Sequence, residues 1–280
     1  MHARKVTSPF SRKMQGLALI TVLWLISLLT LLATAMLAIS RNHGRMSVRA
    51  AQRIEAESIA DSAIRLTLLR INAPLREGQS IGFSAGWRMV VFDKPVDIRL
   101  EREAGRVDLN ATGAPLLTTV LIAGGLQPQQ AHALASRIID WRDADDELQA
   151  GGAEAAEYNR ENLSYAPRNA PFQSIGELRH VLGAADLSPK ILDAFTVYST
   201  RSPTIARDFA HPLVATAMSS LADESGAVLG PQLLAGQVVR IHACVEQGAI
   251  TLCRSVIARM TAHGQRPFLI YDWHSDIAPH

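Results

Sequence analysis

Polar and apolar positions follow three different rhythms along this 280-residue chain. From Leu17 to Ile39 no charge occurs in 23 positions, and Leu, Ile and Ala dominate. A bilayer core takes about 20 apolar residues in a helix, so this run is long enough to span one. After Ser40 the apolar residues thin out to one face: Ala60, Ala63, Ile64, Leu68 and Ile71 recur at helical spacing. No proline interrupts the stretch before Pro74. The pattern therefore predicts one continuous helix, roughly 80 Å long at about 1.5 Å per residue. The period then changes. "GWRMVVFDKPVDIRLEREAGRVDLN" reads as strands around turns at Asp93-Lys94-Pro95 and Glu103 to Gly105. "GQVVRIHACVEQGAITLCRSVIARMTAHGQRPFLIYDW" reads as a hairpin and a last strand. Strands on both sides of a helical stretch predict an α+β fold: a sheet domain interrupted by an inserted all-helical domain.

The apolar run admits two readings. Arg4, Lys5, Arg12 and Lys13 precede it, and Ala33-Thr34-Ala35 fits a small-residue cleavage site, as in a secretory signal. Arg41, Arg45, Arg49 and Arg53 follow the span with as many cations as precede it, so charge sets no orientation. General principles leave an anchor and a discarded signal both open.

A short basic leader ending in Gly16, a hydrophobic start and a long helix entering a globular domain resemble a type IV pilin or pseudopilin. The resemblance implies cleavage between Gly16 and Leu17 by a prepilin peptidase and N-methylation of Leu17. Most pilins carry a glutamate at the fifth mature position, and here that position is Thr21. Its absence resembles the K-type minor subunit of the type II secretion system. The middle of the chain resembles the same subunit more specifically. An LN pair (Leu109-Asn110) precedes a helix. Ile139 to Asp145 follow as I-D-W-x-D-x-D, then Gly152-Ala153-Glu154 with Tyr158, the loop Pro167-Arg168-Asn169-Ala170-Pro171-Phe172, and Glu177-Leu178. The chain departs from the family at its return to the sheet, which reads Ile205-Ala206-Arg207-Asp208.

Between Asp140 and Glu161 lie eight acidic residues against Arg142 and Arg160. Carboxylates so crowded repel unless solvated or neutralised, and a hard cation with oxygen ligands is one way to neutralise them. The spacing is not an EF-hand loop, because Leu148 sits where the sharp-turn glycine belongs. The K subunits are calcium-binding in this region, so the resemblance implies calcium, with Asp143, Asp145, Asp146, Glu154 and Glu157 as the candidate ligands. The alternative is a set of solvated faces and helix-capping acids.

"IAGGLQPQQAHALASRI" resembles a helix-hairpin-helix, yet Val107 to Ser199 hold 12 acidic and 6 basic residues. Phosphate would be repelled, so no nucleic-acid partner is expected. No metalloprotease His pair and no G-x-S-x-G turn occurs in the sequence, and nothing near the acidic run supplies a nucleophile. The reading is non-enzymatic. The two cysteines, Cys244 and Cys253, fall inside the C-terminal hairpin. A two-residue turn at Gly248-Ala249 places them opposite each other as a non-hydrogen-bonded pair, close enough for a disulfide. Two buried thiols are the alternative.

The resemblance orders the chain as leader (1–16), membrane half of the helix (17–39), periplasmic half (40–75), first part of the pseudopilin α/β domain (76–106), helical insert (107–199) and second part (200–280). It implies a single-pass inner-membrane protein with its globular part in the periplasm. Its expected role is a minor pseudopilin in the tip complex that initiates and caps the periplasmic pseudopilus and supports export of folded proteins across the outer membrane. Expected partners are the I-type and J-type minor pseudopilins, the major pseudopilin and the prepilin peptidase. The competing expectations are a minor pilin of a type IV pilus and a periplasmic binding protein with a cleaved Sec signal.

Overall fold

The computed structural model describes residues 13–82, 86–199, 204–221, 232–248, 250–261 and 266–276, so leader residues 1–12 lie outside it. The chain divides into two compact units, Met1–Glu55 and Ala56–His280. Helix α1 (Lys13–Arg76) begins in the first unit and ends in the second.

In the first unit the stretch Leu19–Leu37 is a 19-residue helical span apolar and long enough to cross a bilayer, with its side chains exposed. Its hydroxyls are satisfied within the helix: Ser27 donates to the Leu23 carbonyl (2.8 Å) and Thr34 to that of Thr30 (2.9 Å). A span that satisfies its own polar groups enters hydrocarbon at little cost.

In the second unit the last turns of α1 bury one face. Ala56, Ile59, Ala60, Ala63, Ile64, Leu68, Ile71 and Leu75 form a stripe of i+3 and i+4 neighbours in the sheet core. Small alanines at 56, 60 and 63 let the helix backbone approach the strands. Gly78, at φ 74°, ends the helix, because a left-handed backbone turn there costs glycine nothing.

Nine strands follow in the described residues: β1 (Ile81–Gly82), β2 (Gly86–Val91), β3 (Lys94–Arg102), β4 (Val107–Asp108), β5 (Phe195–Thr196), β6 (Gln232–Leu233), β7 (Val238–Gln247), β8 (Ile250–Met260) and β9 (Phe268–Asp276). The main sheet is antiparallel with order β2-β3-β7-β8-β9, so the chain leaves after β3 and returns at β7. Alternation along β7 sends Val239, Ile241, Ala243 and Val245 toward α1, and Arg240, His242 and Cys244 to the opposite face.

The excursion between β3 and β7 builds a second core. Helices α2 (Ala114–Ala123) and α3 (Pro128–Arg142) each have proline in the first turn, where the missing N–H is no loss. Gly124 and Gly125, the latter at φ 102°, turn the chain between them. Short helices α4 (Ala155–Arg160) and α5 (Pro189–Leu192) complete the insert with the parallel pair β4–β5, whose register is Val107↔Phe195 and Asp108↔Thr196. Helix α6 (Pro212–Leu221) lies in the stretch that the sequence pattern assigns to the sheet domain. It packs Leu213, Val214, Ala217 and Met218 into the helical core, alongside Leu117, Val120 and Leu121 of α2.

Candidate functional site

The acidic cluster forms at the C-terminal end of α3, which delivers Asp140 wholly buried. Its Oδ2 accepts from the Ala153 N–H at 2.8 Å, and that approach requires Gly152, where a Cβ would collide with the same oxygen. The G-A-E triplet is thus a cradle: glycine for clearance, alanine for its amide, Glu154 brought alongside. Trp141, the next residue of α3, stacks on Phe172 at 6.2 Å between ring centroids and fixes the end of the helix.

Around this point polar oxygens are buried with no hydrogen-bond partner among the described residues: Asp140 Oδ1, Asp143 Oδ1, both carboxylate oxygens of Glu154 and the amide Oδ1 of Asn169. Asn169 comes from the P-R-N-A-P-F loop and adopts φ 51°, and its Nδ2 donates to the Asp145 carbonyl (3.2 Å) and to Asp146 Oδ1 (2.8 Å). Burial, reinforced by Asp140, Asp143, Asp146 and Asp145, pushes the Glu154 carboxyl up to about 7. Burial raises Asp140 and Asp143 too, each further raised by neighbouring acids. Three acids resist ionisation and five buried acceptors lack donors: the group lacks positive charge.

That deficit tests whether calcium fits. A hard cation takes about 6–8 oxygens from carboxylates, amides and carbonyls, and these orphaned atoms are of that type. Among the described residues no three His, Cys, Asp or Glu side chains are close enough to hold a metal by themselves, so amide and backbone oxygens would have to share the ligation. Of the residues expected from sequence, Asp143, Asp145 and Asp146 lie near enough to Glu154 to raise its carboxyl, though not close enough to form a ready ligand set. Glu157 is not among them. Its Oε2 accepts the Glu154 N–H (3.0 Å) at the start of α4, and its Oε1 pairs with Arg160 (2.7 Å). Asp140 and Asn169 carry the other orphaned oxygens, and both stood in the sequence signals, one opening the acidic run and one centring the loop.

A second charged group sits where the helical core meets the sheet, on the face opposite α1. Arg240 of β7 holds Glu103 with two bonds (3.2 and 2.8 Å) and reaches Asp193 at 2.7 Å. Arg106 bonds Glu101 at 2.6 Å and Asp193 at 3.2 Å, and its Nε donates to the Asp193 carbonyl. Burial opposes ionisation of Glu101 and Asp193. For Glu101 nearby His242 (3.8 Å) and Arg106 outweigh it, and for Asp193 His211 (3.5 Å), Arg106 and Arg240 do, so both lie well below the usual carboxylate range. No sequence signal joins these residues, since Glu103 and Arg240 are 137 positions apart.

Cys244 and Cys253 are joined in a disulfide, with Cα atoms 4.1 Å apart. They pair directly across the β7–β8 hairpin, whose register runs outward from Gln247↔Ile250. The backbone at Gly16 and Leu17 lies in the first turns of α1.

Residues 100–198 match the family model of type II secretion system protein K. Type II secretion system protein K of Pseudomonas aeruginosa is 26% identical over 191 residues, which cover 60% of this chain and 57% of that protein. Over this stretch the chain resembles protein K of type II secretion systems. The matched stretch thus spans a little over half the length of that relative. A chain of the crystal structure of the GspK-GspI-GspJ complex from enterotoxigenic Escherichia coli shares the fold. Its TM-score is 0.60 at 13% identity, covering 82% of this chain and 99% of that one. Within the family match lie the whole acidic cluster and the P-R-N-A-P-F loop.

Proposed function

We propose that this protein is a K-type, non-enzymatic minor pseudopilin of the type II secretion tip complex, which initiates and caps the periplasmic pseudopilus and supports export of folded proteins. The observation that carries the reading is one helix with two halves of different chemistry. Leu19–Leu37 is apolar on every side, whereas Ala56–Leu75 is apolar only where it meets the sheet. The first half suits the inner membrane and the second presents a folded periplasmic head. The I-type and J-type minor pseudopilins are the expected neighbours, since the related crystal structure is of a GspK-GspI-GspJ complex. The major pseudopilin and the prepilin peptidase are the other expected partners. Thr21 suits a tip subunit, since no neighbour above it offers an amine to a glutamate at that position.

The acidic cluster serves this role as a structural calcium site. Asp140, Asp143, Glu154 and Asn169 would hold the ion, with Asp145 and Asp146 on its more exposed side. The ion would supply the positive charge that these oxygens lack. The protein's part is to bring the end of α3, the Gly152–Glu154 cradle and the P-R-N-A-P-F loop to one place.

Cleavage between Gly16 and Leu17, with methylation of Leu17, is the processing this role requires. The test is the mass of the mature N-terminal peptide from membranes, with a Gly16→Arg variant beside it. A chain starting at methylated Leu17, and an uncleaved, secretion-defective variant, are the expected results. A start near Met36 would make the apolar run a discarded signal and end the filament reading.

A further inference from the structure

Strand β9 is the outermost strand of the main sheet and carries Asp272 and Asp276, the kind of charge that keeps an edge from pairing. Its two faces have a different part. Alternation sends Phe268 and Ile270 to the α1 face, the face of their cross-strand partners Met260 and Ala258. Continued, it would turn Asp272 to that face and Trp273 away. The register instead shifts: Ala258 pairs with Ile270, Ile257 with Asp272, and Tyr271 is the extra residue of a bulge. Beyond the bulge the alternation is inverted. Trp273 returns to the α1 face opposite Val256, while Tyr271 meets the helical insert.

Each ring is fastened. On the α1 face, Asp61 Oδ1 accepts from Trp273 Nε1 at 2.9 Å and from Arg254 Nε of β8 at 2.8 Å. Arg254 also donates to Ser275 Oγ of β9 at 2.6 Å. Arg65, one turn beyond Asp61, lies over the Trp273 ring, 5.5 Å from its centroid. On the other face Tyr271 stacks on Tyr198, with ring centroids 5.6 Å apart at 12°. Tyr198 is itself held within the insert. Its N–H donates to Thr196 Oγ1 of β5 (3.0 Å), and the hydroxyl of the next residue, Ser199, donates to Asp108 of β4 at 2.5 Å. One strand thus grips α1 with one aromatic ring and the insert with another, two positions away.

We propose that β9 is a strap that couples the helical insert to α1, and that the bulge at Tyr271 is the feature that makes it one. In a regular strand, positions 271 and 273 share a face, so both rings would reach α1 or both would reach the insert. A bulge re-aims a side chain, and here it gives each ring its own partner. A hydrogen bond to a carboxylate holds one end and an aromatic stack the other. Loosening either end frees the strand to shift and weakens the opposite grip, and such coupling is reciprocal. The pose of the insert therefore follows the docking of α1 on the sheet. The strap takes neither a partner chain nor an ion.

The test is amide hydrogen exchange of the full chain in detergent, with and without Asp61→Asn. The variant should speed exchange roughly tenfold in β9 and also in residues 195–199 of the insert, and leave β2 and β3 across the sheet unchanged. Tyr198→Leu should act in the reverse direction, speeding exchange in β9 and in α1 around Asp61. Acceleration that stops at β9, or none at all, would overturn the coupling. So would acceleration spread evenly over the whole sheet, which marks a general loss of stability. Should Asp61→Asn fail to fold, Trp273→Phe keeps a ring and removes the indole N–H, and the same outcomes decide.

Discussion

Two charged clusters lie in the second unit, and only one is balanced. At the junction of the two cores Glu101, Glu103 and Asp193 face Arg106 and Arg240, and each carboxylate has a guanidinium within 3.2 Å. At the end of α3, Asp140, Asp143 and Glu154 face one another, and oxygens of all three lack any donor among the described residues. The titration directions follow from this. Partners hold Glu101 and Asp193 down, and crowding holds Glu154 up. Chain economy explains the contrast. The junction draws partners from β3, from the turn after it, from the end of α5 and from β7, so it is complete once the chain has folded. The α3 cluster is built within about 30 residues of sequence whose three arginines bond elsewhere, Arg142 to the Leu109 and Thr112 carbonyls, Arg160 to Glu157 and Arg168 to Glu177, so none of them pairs with the orphaned oxygens.

The largest effect comes from breaking the balanced cluster. Glu103→Gln leaves Arg240 buried with half its partners, and a buried pair broken on one side costs about 3–5 kcal/mol. Urea unfolding of the detergent-solubilised chain should show that loss with calcium and with chelator alike. A loss below about 1 kcal/mol would mean that water replaces the lost partner.

The unbalanced cluster should respond to the ion instead. Calcium at a hundred times its dissociation constant should stabilise the chelator-treated protein by about 2.7 kcal/mol. Asp140→Asn should abolish that gain and at the same time stabilise the ion-free protein, because it removes one of the repelling charges. A variant that destabilises both forms equally would show Asp140 to be a packing residue that merely accepts the Ala153 amide.

Acid and base should also separate the clusters. Glu154 ionises near 7 in the folded chain and near 4.5 when free of its neighbours. The unfolded chain therefore gives up that proton first, and ion-free stability falls as pH rises from about 4.5 toward 7. Glu101 and Asp193 have lowered folded values, so their contribution is present above the unfolded carboxylate range, near 4, and is lost as pH falls through the folded values. With calcium bound the fall toward 7 should vanish and the acid limb remain. Melting curves from pH 3 to 8, with and without calcium, would measure both limbs.

Periodicity made the fold legible in the sequence. The i+3 and i+4 stripe of α1, the β2–β3 and β7–β8 hairpins and the glycine turn between α2 and α3 each follow from local pattern. The β7–β8 register follows from a two-residue turn alone, with Gly248 at φ 65°. Helix α6 was harder to place, because its apolar face states that it is buried but not in which core. The junction cluster was invisible for a similar reason: pairs such as Glu103 and Arg240 are joined only by topology. In the acidic run the sequence supplied the composition. It could not distinguish a carboxylate aimed inward from one turned back to cap a helix, since both fit the same spacing.

Glu154 and Glu157 test that last distinction, and with the smallest effect. They stand three residues apart at the start of α4, and in sequence either could be a ligand. In the structure Glu154 turns its carboxylate into the cluster, while Glu157 accepts the Glu154 N–H and pairs with Arg160. Glu157→Ala should therefore lower the melting temperature by roughly 2–4 °C, the loss of a cap on the Glu154 N–H, by the same amount with and without calcium. Glu154→Gln should lower it only when calcium is present, and raise it when the ion is removed. If the two variants exchanged behaviours, the cation would lie on the outer side of α4. The Gly152 cradle would then serve packing alone.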